Sequence, residues 1–244
     1  MRNTVEILGV KIDKVTMEEA LQQLKSFLQE DRVHTIFTPN SEIMMAAQRD
    51  EYLKGILNSA DLLVADGAGV VLASRILKVN LPEKVAGFDL VKNSFSMDVN
   101  KKIKYFLFGS KPGVAEAAKE KILNNYKNVE VVGCHHGYFS PEDEDGIIDM
   151  INQSGADILL VALGAPKQEK WIYENKGKLK VKVCIGVGGS LDVISGKVKL
   201  APEFFRRNGL EWLYRLYKEP RRFKRMLDLP RFILRVIWKR LTKS

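Results

Sequence analysis

This 244-residue chain holds only two cysteines and three histidines, the residues that build disulfides and most zinc sites. Cys134 and Cys184 stand far apart, with no CxxC and no clustered histidine, so the pattern excludes a disulfide framework and predicts two buried, reduced thiols. No apolar run approaches the roughly 20 residues of a membrane-spanning helix. The opening MRNTVEILGVKID lacks the apolar centre of a signal peptide, and the expected address is cytoplasmic. GxxxxGK[ST], HExxH and GxSxG are all missing, which argues against a P-loop NTPase, a zinc hydrolase and an α/β-hydrolase. There is no internal repeat and no low-complexity linker.

What is present is an ordinary globular composition with an uneven charge. Hydrophobic residues make up 45% and charged residues 28%. The net charge is +9, yet residues 206–244 carry thirteen Lys and Arg against three Asp and Glu. The remaining 205 residues hold 26 basic and 27 acidic side chains. A neutral body with a basic tail implies an anionic partner for the tail.

Ahead of the tail, short apolar runs alternate with helical patterns. The runs are HTIFT (34–38), DLLVA (61–65), KYFLFG (104–109), VEVVG (129–133), DILLVALG (157–164) and VKVCIGVG (181–188). Between them, Thr16-Met-Glu-Glu19 reads as a capping box, Ser41 as the cap of a long helix EIMMAAQRDEYLKGIL, and Pro112 as a helix start. Pro141-Glu-Asp-Glu reads as an acidic first turn. Unbroken apolarity means strands covered on both faces, and intervening helices mean parallel crossovers. The expected fold is α/β, a Rossmann-like, mostly parallel sheet flanked by helices. A composition shift at LAPEFFRRNG (200–209) sets the expected boundary: residues 1–197 as the α/β catalytic domain and 198–244 as a basic helical appendage, divided by Pro220 and Pro230.

In such a sheet the ligand lies beyond the carboxyl ends of the strands. The residues there are Thr38-Pro39-Asn40, Asp66-Gly67-Ala68-Gly69, Gly109-Ser110, Gly137-Tyr138, Gly164 to Glu169, and Gly186 to Ser190. Glycine turns leading into helices free backbone N–H groups for a phosphate. A dinucleotide fingerprint fails at Asp66-Gly-Ala-Gly-Val-Val-Leu72, because leucine takes the third glycine's place. Glu83 and Asp89 follow but close no second strand, so a nicotinamide cofactor is not expected. Asp66 ends an apolar strand beside two glycines, where a desolvated carboxylate suits a general base or caps the next helix. Thr38 and Asn40 fit a plain turn and cap as well as a ligand contact, and Gln168 fits a solvent-facing first turn as well as a pocket. Adjacent His135 and His136 point apart and make a poor metal pair, so no protein-held metal is expected.

In order along the chain, FTPNSEI, LVADGAGVVLASRIL, LPEKVAGFDL, GCHHGYF, LGAPKQEKWI, GVGGSLDVISGKVKLAP and NGLEWLYRLYKEPRR resemble the WecG/TagA/CpsF glycosyltransferase family. The nearest resemblance is to the TagA-type members, which begin the wall teichoic acid linkage unit. The resemblance implies an inverting, metal-independent transferase without cofactor. It moves N-acetylmannosamine from UDP to the 4-hydroxyl of N-acetylglucosamine on undecaprenyl diphosphate. It implies Asp66 as base, Thr38, Asn40 and Gln168 as pocket residues, and Arg215, Arg222 and Arg225 as appendage arginines completing the site. The chain departs from the family's usual arginine at Lys84, and lysine cannot fork onto a phosphate. Read from the residues themselves, Gly186, Gly188, Gly189 and Asp192 are expected at the phosphates and ribose of UDP and Tyr138 on uracil, with Gly109 and Ser110 as further substrate-binding residues. Sibling donors, UDP-N-acetylmannosaminuronic acid or UDP-glucose, stay open.

The tail's Leu229, Phe232, Ile233, Val236, Ile237 and Leu241 share one helical arc, with Arg231, Arg235 and Lys239 opposite. That pattern predicts an interfacial helix docked on the anionic inner face of the plasma membrane, making the protein peripheral there. The alternative is that the stripe packs on the sheet domain or in a homo-oligomer. A nucleic-acid grip would leave the strand-edge loops unexplained, so no nucleic acid is expected as partner.

Overall fold

The apolar runs do form strands, and the computed structural model places all six of them in one parallel sheet. It describes every residue except 1, 100, 219, 221, 222, 243 and 244, and the Lys224 side chain. The chain opens on β1 (Thr4–Ile7) and β2 (Val10–Asp13), then α1 (Met17–Phe27), β3 (His34–Phe37), α2 (Ser41–Ala47) and α3 (Glu51–Asn58). It continues with β4 (Leu62–Leu63), α4 (Ala68–Ile76), α5 (Gly87–Ser94), β5 (Ile103–Gly109), α6 (Val114–Asn125) and β6 (Val129–His135). A 3₁₀ turn (Pro141–Asp143) leads to α7 (Glu144–Gln153), β7 (Ile158–Ala162), α8 (Lys167–Asn175), β8 (Val183–Gly186) and α9 (Ser190–Ile194). Helices α10 (Glu203–Arg207), α11 (Glu211–Lys218), α12 (Phe223–Met226) and α13 (Asp228–Thr242) complete the described chain.

The sheet order is β4-β3-β8-β7-β5-β6, every pair parallel. Unbroken apolarity follows from cover on both faces. Phe37, Phe106, Phe108, Leu159 and Cys184 face a core shared with Met44, Leu53, Val70, Ile147 and Trp171. Ile36, Tyr105, Leu107, Leu160 and Ile185 face the other core, with Leu24, Leu90, Ala115 and Leu191. Cys184 is buried as expected, while Cys134 is only half-buried; both are free.

Several local expectations change. Residues 4–13 form an antiparallel hairpin that the run list did not contain. Its two-residue turn puts Leu8 and Gly9 at φ 51° and 81°, a primed turn written without the usual Asn-Gly signal. The Thr16 capping box is present. Asn40, not Ser41, caps α2, and the long helix breaks so that Asp50 can cap α3. Gly113, in the left-handed region, rather than Pro112 starts α6. Pro230 does not divide the tail: it lies in the first turn of α13, where its missing N–H has no intrahelical role.

The C-terminal helices lie on the body rather than trailing from it. Phe232 and Val236 of α13 are fully buried in the core that contains Met44, Val70 and Val71. Ion pairs Arg49–Asp228 and Lys239–Glu6 (3.2 Å) flank that seam. Burying two such side chains contributes about 1.5–3 kcal/mol each. The arc predicted for the membrane therefore belongs largely to the body. Leu229 and Ile233 are partly buried, while Ile237 and Leu241 of the same arc face outward, joined there by Leu234 and Trp238.

Candidate active site

The loops after β3, β4, β7 and β8 stand side by side because those four strands are neighbours in the sheet. Two adjoining cavities open over them. The larger, about 720 Å³, lies between the β4–α4 turn and the C-terminal helices, against Leu72, Lys84, Trp212 and Leu229. The smaller, about 210 Å³, lies over the strand ends, against Thr38, Gly164, Gln168, Gly188 and Gly189. Asp66, Asn40, Arg206, Glu211, Arg215 and Arg225 border both. The predicted base therefore sits where the two spaces meet.

Asp66 does not cap the following helix. Gly67 is the N-cap of α4, at φ 96°, and no side chain bonds to that end. Burial pushes the Asp66 carboxyl up to about 6. Among its neighbours the Arg215 guanidinium opposes the rise, Glu211 adds to it, and the Gly87 N–H and Lys84 oppose it. A carboxyl that titrates near 6 is mostly ionised at neutral pH yet holds a proton more readily than an ordinary carboxylate, which suits taking a proton and later releasing it.

Each pocket side chain also has a structural role, by hydrogen bond or by packing. Asn40 Oδ1 accepts from the Ile43 N–H at 3.1 Å, the cap foreseen as its plainer role. Thr38 packs on Gly87: a Cβ there would come within 2.6 Å of Thr38 Oγ1, so only glycine allows this approach. Gln168, expected near solvent on one reading, is instead buried. Its Oε1 accepts from the Gly188 N–H at 2.9 Å.

The appendage supplies the wall and the cations. Gly69 and Gly209 make the junction tight, since a Cβ on Gly69 would lie 2.9 Å from Leu229 Cδ1 and one on Gly209 2.6 Å from Ala68 Cβ. Arg206 Nη2 donates to both carboxylate oxygens of Asp89, at 2.7 and 2.8 Å, tying α10 to α5. Lys84 Nζ donates to Glu211 Oε1 at 2.8 Å, so this lysine is held by an appendage carboxylate. Arg215 and Arg225 border both cavities; Arg222 lies outside the described residues.

Not every predicted residue joins this cleft. Gly109, Ser110 and Tyr138 follow β5 and β6, on the far side of the sheet edge, and with Asp192 they border neither cavity. They form a neighbouring cluster in which Ser110 Oγ donates to Asp192 Oδ2 at 3.0 Å and the Gly137 N–H donates to the Ser110 carbonyl at 2.9 Å. Tyr138 is exposed there. Helix α9 links the two areas, with Ser190 in the smaller cavity and Asp192 in the cluster. Gly186 lines neither cavity; its missing side chain makes room for the Gln168 amide. Among the described residues no three His, Cys, Asp or Glu side chains converge as metal ligands.

Sequence reasoning missed Arg206 and Glu211. Glu211 is the sole acid between Arg206 and Lys218, and its spacing to Arg215 suggests an intrahelical i, i+4 pair. Only the packed structure gives it Lys84 instead.

An open parallel sheet with a carboxylate at its strand ends, roofed by a cationic helical lobe, is the arrangement of an α/β enzyme whose cleft offers positive charge to an anionic ligand. The family model described as Glycosyl transferase WecG/TagA/CpsF family matches residues 5–244, and the chain belongs to that family. It is 39% identical over 202 residues to the N-acetylglucosaminyldiphosphoundecaprenol N-acetyl-beta-D-mannosaminyltransferase of Bacillus subtilis, covering 83% of this chain and 78% of that one. Its identity to the Staphylococcus aureus (strain MRSA252) protein of the same name is 35% over 234 residues, 95% and 91% of the two chains. Among solved structures, a nicotinate phosphoribosyltransferase from Vibrio cholerae aligns with 13% identity and a TM-score of 0.21 over 72% of this chain and 46% of that chain, too slight a likeness to bear on either fold or function.

Proposed function

We propose that this glycosyltransferase moves N-acetylmannosamine from UDP to the 4-hydroxyl of N-acetylglucosamine on undecaprenyl diphosphate, with inversion and without a metal. The observation that carries the reading is Asp66 at the junction of two unlike cavities. The smaller, walled by Thr38, Asn40, Gln168 and glycine backbone, suits a sugar. The larger, with Val71, Leu72, Leu229 and Ile233 beside Lys84 and Arg215, suits a lipid diphosphate. From the smaller cavity α9 leads to Ser110, Asp192 and Tyr138, a path that suits the diphosphate, ribose and uracil of the donor.

In the reaction Asp66 takes the proton of the acceptor hydroxyl. The oxygen attacks the anomeric carbon from the opposite face as the bond to UDP breaks, and both electrons of that bond leave with UDP. Arg215, Arg225 and Arg206 border the space where that negative charge grows, and fixed cations there lower the barrier. Lys84 becomes available once a diphosphate displaces Glu211. The names of the relatives support the transferred sugar and the acceptor.

No helix among the described residues is long and apolar enough to cross a membrane. We place the protein on the inner membrane face through the outward Leu234, Ile237, Trp238 and Leu241 of α13, beside Arg231 and Arg235. Apolar insertion with basic flanks is the usual form of such docking. The same helix shows Leu229 and Ile233 to the larger cavity, so a lipid tail has an apolar path inward.

The deciding experiment offers UDP-N-acetylmannosamine, its uronic acid and UDP-glucose with a soluble N-acetylglucosamine-diphosphate-lipid acceptor, in the presence of EDTA. Transfer from the first donor by wild type, abolished in Asp66→Asn with UDP binding intact, is expected. Preferred use of either other donor overturns the assignment, and full activity in the variant removes Asp66 from the mechanism.

A further inference from the structure

Gln168 is held at both ends of its amide. A backbone N–H is a donor only, so the bond from Gly188 obliges Oε1 to face it. Nε2 then faces the next residue in the chain, donating to Glu169 Oε1 at 2.9 Å. Beneath, a Cβ on Gly186 would lie 2.9 Å from Nε2, so the amide rests on bare strand backbone. These bonds use the oxygen and one hydrogen, and the second hydrogen on Nε2 is what Gln168 has left to offer.

Glu169 is an odd residue to find there. It is 1% exposed, burial pushes its carboxyl above the usual range, and its Oε2 has no hydrogen-bond partner among the described residues. A buried carboxylate with an unused oxygen costs stability. An apolar side chain of the same length would fill the space at no such cost.

We propose that Glu169 is a positioning residue that, together with the Gly188 N–H, locks the Gln168 amide so that the smaller cavity presents a hydrogen-bond donor to an acceptor oxygen of the bound sugar nucleotide. The proposal rests on the reading of that cavity as the donor-sugar site. It assigns Gln168 a fixed polarity, and it gives Gly186 the role of making space for the amide.

The test compares Glu169→Met, Glu169→Gln, Gln168→Met and Gln168→Met/Glu169→Met in the full-length enzyme. Glu169→Met is expected to lower kcat/KM for UDP-N-acetylmannosamine roughly tenfold or more, the size of a charge-assisted hydrogen bond, while its Tm stays level or rises. Glu169→Gln keeps an acceptor and is expected to recover most of the loss. In the Gln168→Met background the Glu169→Met change should have no further effect. Equal losses in both backgrounds, or wild-type kinetics in Glu169→Met, overturn the proposal. A readout independent of turnover is the pair of Gln168 side-chain NH₂ signals in ¹⁵N-labelled protein. They should be dispersed in wild type and collapse toward free-amide positions in Glu169→Met. Unchanged signals also overturn it, whatever the donor proves to be, whereas a wild type inactive on every donor counts against the proposed function alone.

Discussion

The sheet body and the C-terminal helices contribute opposite things to one cleft. The body is nearly neutral, buries its strands on both faces, and brings Asp66, Thr38, Asn40 and Gln168 to its edge. The C-terminal helices carry most of the surplus positive charge and expose Phe204, Tyr217, Phe223, Leu234 and Trp238. Their buried contribution comes mainly from Met226, Phe232 and Val236. The buried core thus supplies the desolvated groups, and the surface lobe supplies cations and exposed apolar side chains. Asp66 has its raised affinity for a proton because the two regions meet: burial supplies the rise, and Arg215 and Glu211 of the lobe adjust it in opposite senses.

The sharpest way to break this division is to remove each side's charge in turn. Asp66→Asn is expected to lower kcat by roughly 10²–10⁴-fold, the range for a lost general base. The same change should stabilise the fold. A carboxyl with a folded pKa of about 6, against an ordinary 3.8, favours folding fully below the lower value and loses that advantage as pH rises through the upper one. At pH 8 the asparagine variant should gain up to about 3 kcal/mol, read as a higher Tm that vanishes near pH 3. A Tm unchanged at pH 8 would mean that Asp66 is better solvated than its burial indicates.

Deleting residues 198–244 should abolish turnover and lower Tm, because the face of α2 and α4 under Phe232 and Val236 is left bare. A truncated protein with full activity would end the two-region account. Arg215→Met and Arg225→Met are expected to reduce kcat/KM by roughly ten- to a hundredfold with thermal stability held. Replacing Leu234, Trp238 and Leu241 together by serine tests the outward face. Binding to vesicles containing anionic lipid should weaken about tenfold or more, with turnover of a soluble acceptor unaffected. Smallest of all, Glu211→Gln removes a charge that raises the Asp66 pKa and releases Lys84, which lowers it. Both act in one direction, so the acid limb of kcat/KM should move to lower pH by up to about one unit. A shift to higher pH would show that Glu211 is not sensed by Asp66.

Much of the fold was legible because its signals are local. Unbroken runs such as ILLVA and VCIG read as two-faced strands and are buried throughout. The N-terminal hairpin was not legible, since Leu8-Gly9 carries no Asn-Gly signature. In the cleft, Asp66 stood out by ending an apolar run beside glycines, and the resemblance placed Thr38, Asn40 and Gln168 near it. Glu211 and Arg206 were missed because their partners, Lys84 and Asp89, are distant in the chain. The tail helix was read with the right period and two possible neighbours for its stripe; Phe232 and Val236 meet the body while Ile237 and Leu241 face outward, for periodicity identifies a stripe but not its neighbour.

Periodicity, composition and strand-end residue type, all properties of a few neighbouring residues, determined from the chain alone that this would be a parallel α/β protein with a basic helical end and its chemistry at one sheet edge. Which apolar stripe of α13 meets the body, which carboxylate holds Lys84, and how far Asp66 resists ionisation were decided only by tertiary packing. Burial and Coulomb interactions depend on distances through space, and those distances exist only once the chain has closed on itself.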